Sequence, residues 1–333
     1  MTTITETDSD VVTQIEAAGD RMRRVHEATG QVIFGQDVVI QQTLVTLLSG
    51  GHALLIGVPG LAKTLLVETL GTVLGLDAKR IQFTPDLMPS DIIGSEVLEE
   101  VHGGTAREFR FIKGPIFTQL LMADEINRAS PRTQSALLQA MQEHHVTVAG
   151  ERHNVPEPFH VLATQNPLEQ EGTYPLPEAQ LDRFLMQIDV AYPDLSAERR
   201  LVYETTGSEK VQLSPVLSAS ELMAFQRLIR IMPVPDKVVE AILQLVRAAR
   251  PGPEASEETN RLIAWGPGPR ASQALMLTAR ANALIDGRLA PSVDDVLALA
   301  EPVLKHRMAL TFAARTEGET ISGVVERLKA ELE

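Results

Sequence analysis

The stretch that most constrains this chain is G-V-P-G-L-A-K-T at residues 57–64. It follows directly on the apolar run Ala53-Leu54-Leu55-Ile56 and leads straight into a helical pattern at 63–74, closed by Gly75. A turn of this composition between a strand and a helix is suited to phosphate. Glycine lets the backbone approach anionic oxygens, while loop N–H groups and the helix N-terminus point at them. A lysine then meets the outer phosphates and a hydroxyl serves a magnesium ion. Gly57, Val58, Pro59, Gly60, Leu61, Ala62 and Leu65 are the candidate cradle, with Lys63 and Thr64 as its cation and hydroxyl. Ala62 stands where the usual pattern has glycine, which predicts a negative φ there, inside the first helical turn.

Two further apolar runs end in chemistry. Leu120-Leu121-Met122-Ala123 ends in Asp124-Glu125, and Val161-Leu162-Ala163-Thr164 ends in Gln165-Asn166-Pro167. A carboxylate at the end of a buried strand can share a magnesium ion with Thr64, which makes Thr64 and Asp124 the candidate metal ligands. A second carboxylate, Glu125, can polarise an attacking water, and the Asn166 amide can orient it. In isolation, Asp-Glu after a strand reads as a loop start, and Asn before proline reads as a turn. All three runs are strand-length and continuous rather than alternating, the pattern of strands buried on both faces of a parallel sheet. Helical patterns lie between them, including 130–142, where Pro131 follows Ser130. Strand–helix alternation of this kind predicts an α/β layered domain.

Beyond residue 195 strand patterns vanish. Leu222, Phe225, Leu228, Ile229 and Met232 share one helical face, as do Val239, Ile242, Leu243 and Val246 behind Asp236 as a cap. Further helices open after G-P-G-P at 266–269 and after Pro291-Ser292, the latter kinked or split at Pro302. The chain of 333 residues therefore divides into a flexible acidic tail (1–14), a nucleotide-binding α/β domain (15–195), a linker (196–218) and an all-helical unit (219–333). Residues 144–156 read as a β-hairpin turning at Ala149-Gly150.

Composition excludes several classes. The balance of 30 basic against 44 acidic side chains gives a net charge of −14, which is wrong for a general nucleic-acid binder. There is no cysteine, so disulfide scaffolds, thiolate metal sites and cysteine nucleophiles are excluded. The polar start has no leader pattern, and no apolar run approaches the roughly 20 residues of a spanning helix. These features lead to the expectation of a cytoplasmic protein.

The motifs resemble the AAA+ ATPases and, within them, the MoxR family, over about residues 15–310. The phosphate loop is joined by V-I-F-G-Q at 32–36, F-T-P-D-L-M-P-S-D at 83–91, A-D-E-I-N-R-A at 123–129, A-L-L-Q-A-M-Q-E at 136–143 and L-P-E-A-Q-L-D-R-F at 176–184. Alanine in the phosphate loop is itself usual for MoxR-like proteins. The resemblance implies an αβα P-loop domain with a parallel sheet, followed by a small helical lid. ATP or ADP and Mg2+ would be its cofactors. It also implies Asn166 as the sensor 1 residue, Arg183 as the arginine finger, Arg270 as the sensor 2 residue, and Phe34-Gly35 against the adenine. Residues 86–113 look like the insertion within helix 2 of this clade, and that insertion and the 144–156 hairpin would face a ring pore or a client.

The function this implies is ATP-driven, chaperone-like remodelling, assembly or metal-cofactor maturation of protein complexes. It would proceed in a homo-oligomeric, hexameric ring with a von Willebrand factor A domain protein as partner. The position of Arg183, well past Asn166, predicts that it acts on the neighbouring subunit's nucleotide. Two other readings remain open: a nucleic-acid motor, through the patch Arg107, Arg110 and Lys113, and a magnesium-chelatase-like subunit. His144, His145, His153 and His160 invite a metal site but lack a paired i, i+4 spacing beside a carboxylate.

Overall fold

The computed structural model describes residues 6–100, 107–169, 172–207 and 211–332. Helices α1 (Glu6–Gly30) and α2 (Asp37–Leu48) lead into strand β1 (Ala53–Ile56), α3 (Lys63–Val73) and β2 (Ala78–Gln82). A short helix, α4 (Pro89–Ile93), is followed by an antiparallel pair, β3 (Gly94–Glu100) and β4 (Arg107–Lys113), then by β5 (Leu120–Asp124) and α5 (Pro131–Glu143). A second hairpin, β6 (His145–Val148) with β7 (Glu151–Asn154), precedes β8 (His160–Gln165), α6 (Glu178–Leu181), β9 (Met186–Asp189) and α7 (Leu195–Thr206). The remainder comprises α8 (Ala219–Ile231), α9 (Asp236–Ala248), α10 (Glu257–Leu262), β10 (Ile263–Trp265), α11 (Pro269–Ile285), α12 (Val293–Leu304), β11 (Ala309–Leu310), α13 (Phe312–Thr316) and α14 (Ile321–Ala330).

Five strands form one parallel sheet in the order β2-β5-β8-β1-β9. Alternate residues of its central strands enter different cores. Leu54, Leu121, Ala123, Val161 and Ala163 pack with α5, whereas Leu55, Leu120, Met122 and Leu162 pack with α2 and α3. Both faces are apolar, which is why these strands read as unbroken hydrophobic runs. The strand order brings the carboxyl ends of β1, β5 and β8 side by side. There Gly57 N–H donates to the Gln165 carbonyl (3.2 Å) and Phe83 N–H to that of Asp124 (2.8 Å).

Several sequence expectations need correction. Residues 6–14, read as part of a flexible tail, belong to α1, whose inner face buries Ile15, Ala18, Met22 and Val25; residues 1–5 lie outside the described residues. The acidic composition had hidden that apolar period. The stretch read as a linker contains α7, whose only buried residue is Ala197, so no apolar stripe marked it. Its start is capped by the Asp194 side chain, which accepts from Ala197 N–H (2.8 Å). The helical part also carries a two-stranded ribbon, β10 with β11. In α9 Asp236 is the first helical residue and makes no side-chain cap. The buried stripe there is Val238, Ala241, Ile242, Leu245 and Val246, while Leu243 is 41% exposed. Helix α12 continues past Pro302 to Leu304 and then tightens into a 3-10 turn. The tip of the insert, 101–106, lies outside the described residues.

The helical part packs on the side of the sheet where the strands begin. Arg307, almost fully buried, donates to the Asp182 carboxylate (2.8 Å) and to the carbonyls of Phe184 (2.7 Å), Leu185 (3.1 Å) and Val303 (2.6 Å). Three histidines are buried in this region: His306 beside Arg307, and the pair His52 and His160. His52 Nδ1 accepts from Val161 N–H (2.9 Å) and its Nε2 meets the Met141 carbonyl (3.2 Å). His160 Nδ1 meets the Gly51 carbonyl (2.9 Å) and its Nε2 faces the Gln226 amide nitrogen (3.1 Å). Each ring of the pair therefore has one nitrogen placed to donate and one to accept, which suits the neutral form.

Burial, reinforced for His52 by repulsion from His160, pushes the pKa down to about 3 for His52 and about 4 for His160, from 6.5. The unfolded chain binds these protons below about pH 6.5 and the folded chain does not, so stability falls as pH drops through that value. The slope is about 1.4 kcal/mol per pH unit for each histidine. Denaturant unfolding at about pH 7.5, 6 and 5, above the carboxylate range, should show this loss, and His160→Gln should flatten the slope. Equal stability across that window in the parent protein would contradict the neutral, buried assignment.

Candidate functional site

The loop after β1 is shaped by two left-handed residues. Gly60 has φ +87°, with open space where a Cβ would stand. Ala62 has φ +56° and ψ +21° and sits immediately before α3. The negative φ expected for Ala62 is therefore overturned: alanine itself adopts the conformation that glycine takes more easily, at roughly 1–2 kcal/mol of strain. Left-handed residues in such a loop turn successive N–H groups to one side, the arrangement that binds anions. Lys63 Nζ donates to the carbonyls of Gly57 (2.7 Å) and Val58 (2.8 Å), so those two residues hold the lysine folded over its own loop. Burial lowers the Lys63 pKa, while Asp124 and Glu125 oppose that shift.

A cavity of about 450 Å³ opens above the loop. Residues 59–65 border it, with Asp124 and Glu125 at the end of β5, residues 164–166 at the end of β8, and Arg80 and Gln82 from β2. Asp124, only 8% exposed, accepts from Arg80 Nη2 (2.5 Å) and Nε (3.1 Å) and from the Thr164 hydroxyl (2.5 Å). Glu125 has φ +55°, and its N–H donates to the Thr164 hydroxyl (2.8 Å). Its carboxylate accepts from the Gln82 amide (2.6 Å) and from Arg128 (2.9 Å). Arg80 also donates to Gln82 Oε1 (2.8 Å), so one chain of hydrogen bonds joins the two carboxylates. Asn166 is buried, borders the cavity, and accepts from Leu168 N–H through Oδ1 (3.1 Å), so it also initiates the turn.

Sequence reasoning missed Arg80, Gln82, Arg128 and Thr164. In A-K-R-I-Q, Arg80 and Gln82 are two apart and so lie on one face of β2, with Gln82 in register with Asp124. Only the strand pairing makes that visible. A carboxylate as buried as Asp124 needs a cationic partner. Its oxygens and the Thr64 hydroxyl border one cavity, and hard oxygen donors of this kind suit magnesium. The open cradle at Gly60 leaves room for phosphate. The residues present therefore fit a magnesium-bound nucleotide.

The structure does not bring Arg183 and Arg270 to this cavity. Both border a second concavity, of about 290 Å³, along with Gly50, Gly51 and His52, which precede β1. They thus lie at the opposite edge of the sheet from the phosphate loop. Arg270 approaches Asp182 at 3.6 Å, whereas the Arg183 side chain has no hydrogen bond or ion pair among the described residues. Phe34 and Gly35 also stand outside the phosphate cavity. Phe34 is buried with Arg200 over its ring at 4.9 Å, and a Cβ on Gly35 would meet that of Ala197 at 2.3 Å, so α7 covers this turn. The four histidines disperse: His160 is in the core and His153 stacks on Phe111 (4.0 Å). Among the described residues no three His, Asp or Glu side chains form a metal-holding group, and no helix is long and apolar enough to cross a membrane.

Comparison with known proteins agrees with this architecture. The ATPase family associated with various cellular activities (AAA) matches residues 52–186, and the AAA lid domain matches 255–328. Chaperone MoxR1 of Mycobacterium tuberculosis is 42% identical over 90% of this chain and 78% of its own length. The YeaC protein of Bacillus subtilis is 40% identical over 91% of each. A solved structure of a protein from Cytophaga hutchinsonii superposes with a TM-score of 0.86 at 36% identity, covering 95% of both chains. With a phosphate loop, paired carboxylates and a buried asparagine on one sheet edge, and with relatives this similar along nearly its whole length, the chain belongs to the MoxR family of AAA+ ATPases.

Proposed function

We propose that this protein hydrolyses ATP to ADP and phosphate in a head-to-tail hexameric ring, with each site completed by the next subunit. The observation that carries the reading is the separation of the two half-sites. The phosphate loop, Asp124, Glu125 and Asn166 border one cavity, and Arg183 and Arg270 border another, beyond the opposite end of β1. β1 spans four residues, about 13 Å at the usual strand rise, which is farther than an arginine can bridge to its own γ-phosphate. In a ring the arginine edge of one subunit can face the phosphate edge of the next.

Magnesium, when bound, neutralises charge on the β- and γ-phosphates. The chain's own residues do the rest. Lys63 leaves the carbonyls of Gly57 and Val58 for the phosphates, and Asp124, released by Arg80, would hold the ion together with Thr64. Glu125, freed from Gln82 and Arg128, takes the proton of the attacking water while Asn166 orients it. Arg183 and Arg270 of the neighbour meet the charge that develops on the transferred phosphoryl group. The turn at Phe34-Gly35, beneath α7, is the adenine side in this reading.

The work performed is chaperone-like remodelling of a protein client, with a von Willebrand factor A domain protein as partner and metal-cofactor maturation as one form of the task. Two hairpins support a client-facing surface. The β3–β4 pair and the β6–β7 pair meet at the Phe111–His153 stack, and Phe109, 71% exposed, pairs across the strands with exposed Leu98. A nucleic-acid motor is less well supported, because Arg110 of the insert is already paired with Glu99 (3.2 Å).

Lys63→Ala should abolish ADP binding in a calorimetric titration; unchanged affinity would remove the loop from the mechanism. Glu125→Gln should keep ATP binding and lose about 10²–10⁴-fold in turnover, the usual share of a general base; near-normal turnover would move the catalytic role elsewhere. Lys63→Ala mixed with Arg183→Ala, each inactive alone, should regain activity in mixed rings. A mixture that stays dead although the subunits co-assemble would end the trans reading.

A further inference from the structure

The concavity that holds Arg183 and Arg270 also holds Arg230 and Arg307, and Asp182 is the one acid on its lining. Asp182 is already committed, chiefly to Arg307 at 2.8 Å and more loosely to Arg270 at 3.6 Å. The side chains of Arg183 and Arg230 have neither a hydrogen bond nor an ion pair among the described residues. The same crowding continues along α11. Arg280 lies farther along that helix, close enough to Arg230 for their like charges to repel. Its Nε is buried without an acceptor. Burial lowers its pKa, and the positive charge of Arg230 lowers it further. A chain with a net charge of −14 has carboxylates in excess, yet on this lining Asp182 alone stands against four arginines.

We propose that Arg230 is a third arginine acting across the subunit interface, meeting the phosphates of the neighbouring subunit's nucleotide beside Arg183 and Arg270. The inference rests on the ring reading above and adds to it a residue and a direction of control. Guanidinium groups present a planar fork of donors that matches phosphate oxygens, and three from different directions can surround a transferring phosphoryl group. Arg183 follows α6 in the α/β domain, whereas Arg230 ends α8 and Arg270 begins α11, both in the lid. The position of one subunit's lid therefore sets how fast its neighbour turns over. The simpler role for Arg230 is to offset the C-terminal dipole of α8, which would give a small stability effect and none on catalysis.

Subunit mixing separates these roles. Arg230→Ala should lower kcat of the assembled ring by at least about tenfold, a share of the ~10³–10⁵-fold typical of an arginine finger. ADP affinity and the thermal midpoint should stay near those of the parent. Mixed with Lys63→Ala it should regain activity, because each variant retains the half-site the other lacks. Mixed with Arg183→Ala it should not, because both defects then fall on the same edge and no interface is complete. Recovery in that last mixture would place Arg230 in its own subunit's site and overturn the proposal, as would normal turnover of Arg230→Ala alone. Failure of Lys63→Ala with Arg183→Ala to recover would identify the ring reading as the fault. Where Arg230→Ala assembles poorly, Arg230→Gln in the same mixtures should recover, or fail to recover, in the same pattern.

Discussion

A parallel sheet has two unlike edges, and the two clusters of residues proposed to meet the nucleotide follow from that polarity. At the carboxyl edge, strands β1, β5 and β8 end side by side, so a phosphate loop, a pair of carboxylates and an asparagine meet with no need for long side chains. At the amino edge the chain places Arg183, and the lid adds Arg270 and Arg230. The fold separates the anion-receiving half from the cation-donating half by the length of a strand. In the proposed ring, a subunit built this way would leave its own site open, and its neighbour would complete it at the interface.

Within the carboxyl edge, the side chains form a network in which each charge is already answered. Arg80 holds Asp124, Gln82 links Arg80 to Glu125, and Arg128 holds the far side of Glu125. Lys63 is likewise occupied by carbonyls of its own loop. These contacts keep a buried carboxylate and a half-buried lysine from standing unpaired, which would be costly in a partly desolvated cavity. In the proposed reaction, binding and catalysis would therefore proceed by exchange of partners rather than by filling an empty frame. The strained backbone at Ala62 and Glu125 lies in the same few residues, where surrounding structure holds it in place.

Much of this was legible in the order of residues alone. The runs 53–56, 120–123 and 161–164 became the central strands because both sheet faces bury them, and a continuous apolar run has few other uses in a chain with this helical punctuation. The outer strands β2 and β9 were not legible. Each has a polar or partly exposed residue at alternate positions, and A-K-R-I-Q or M-Q-I-D is too short and mixed to stand out. The second tier of the site was lost with them, since Arg80 and Gln82 gain meaning only from pairing with β5. Ala62 failed for a different reason: local rules assign alanine a negative φ, and here the loop's anion-binding shape overrides local preference. Helix α1 was obscured because acidic residues near its start outweighed a sparse apolar stripe that matters only against α2, α3 and the lid.

If no single subunit holds a complete site, ATPase activity must depend on protein concentration. Specific activity measured across a dilution series, with light scattering on the same samples, should rise and level off in step with assembly into rings. Specific activity that stays constant down to concentrations at which the protein is monomeric would contradict the account.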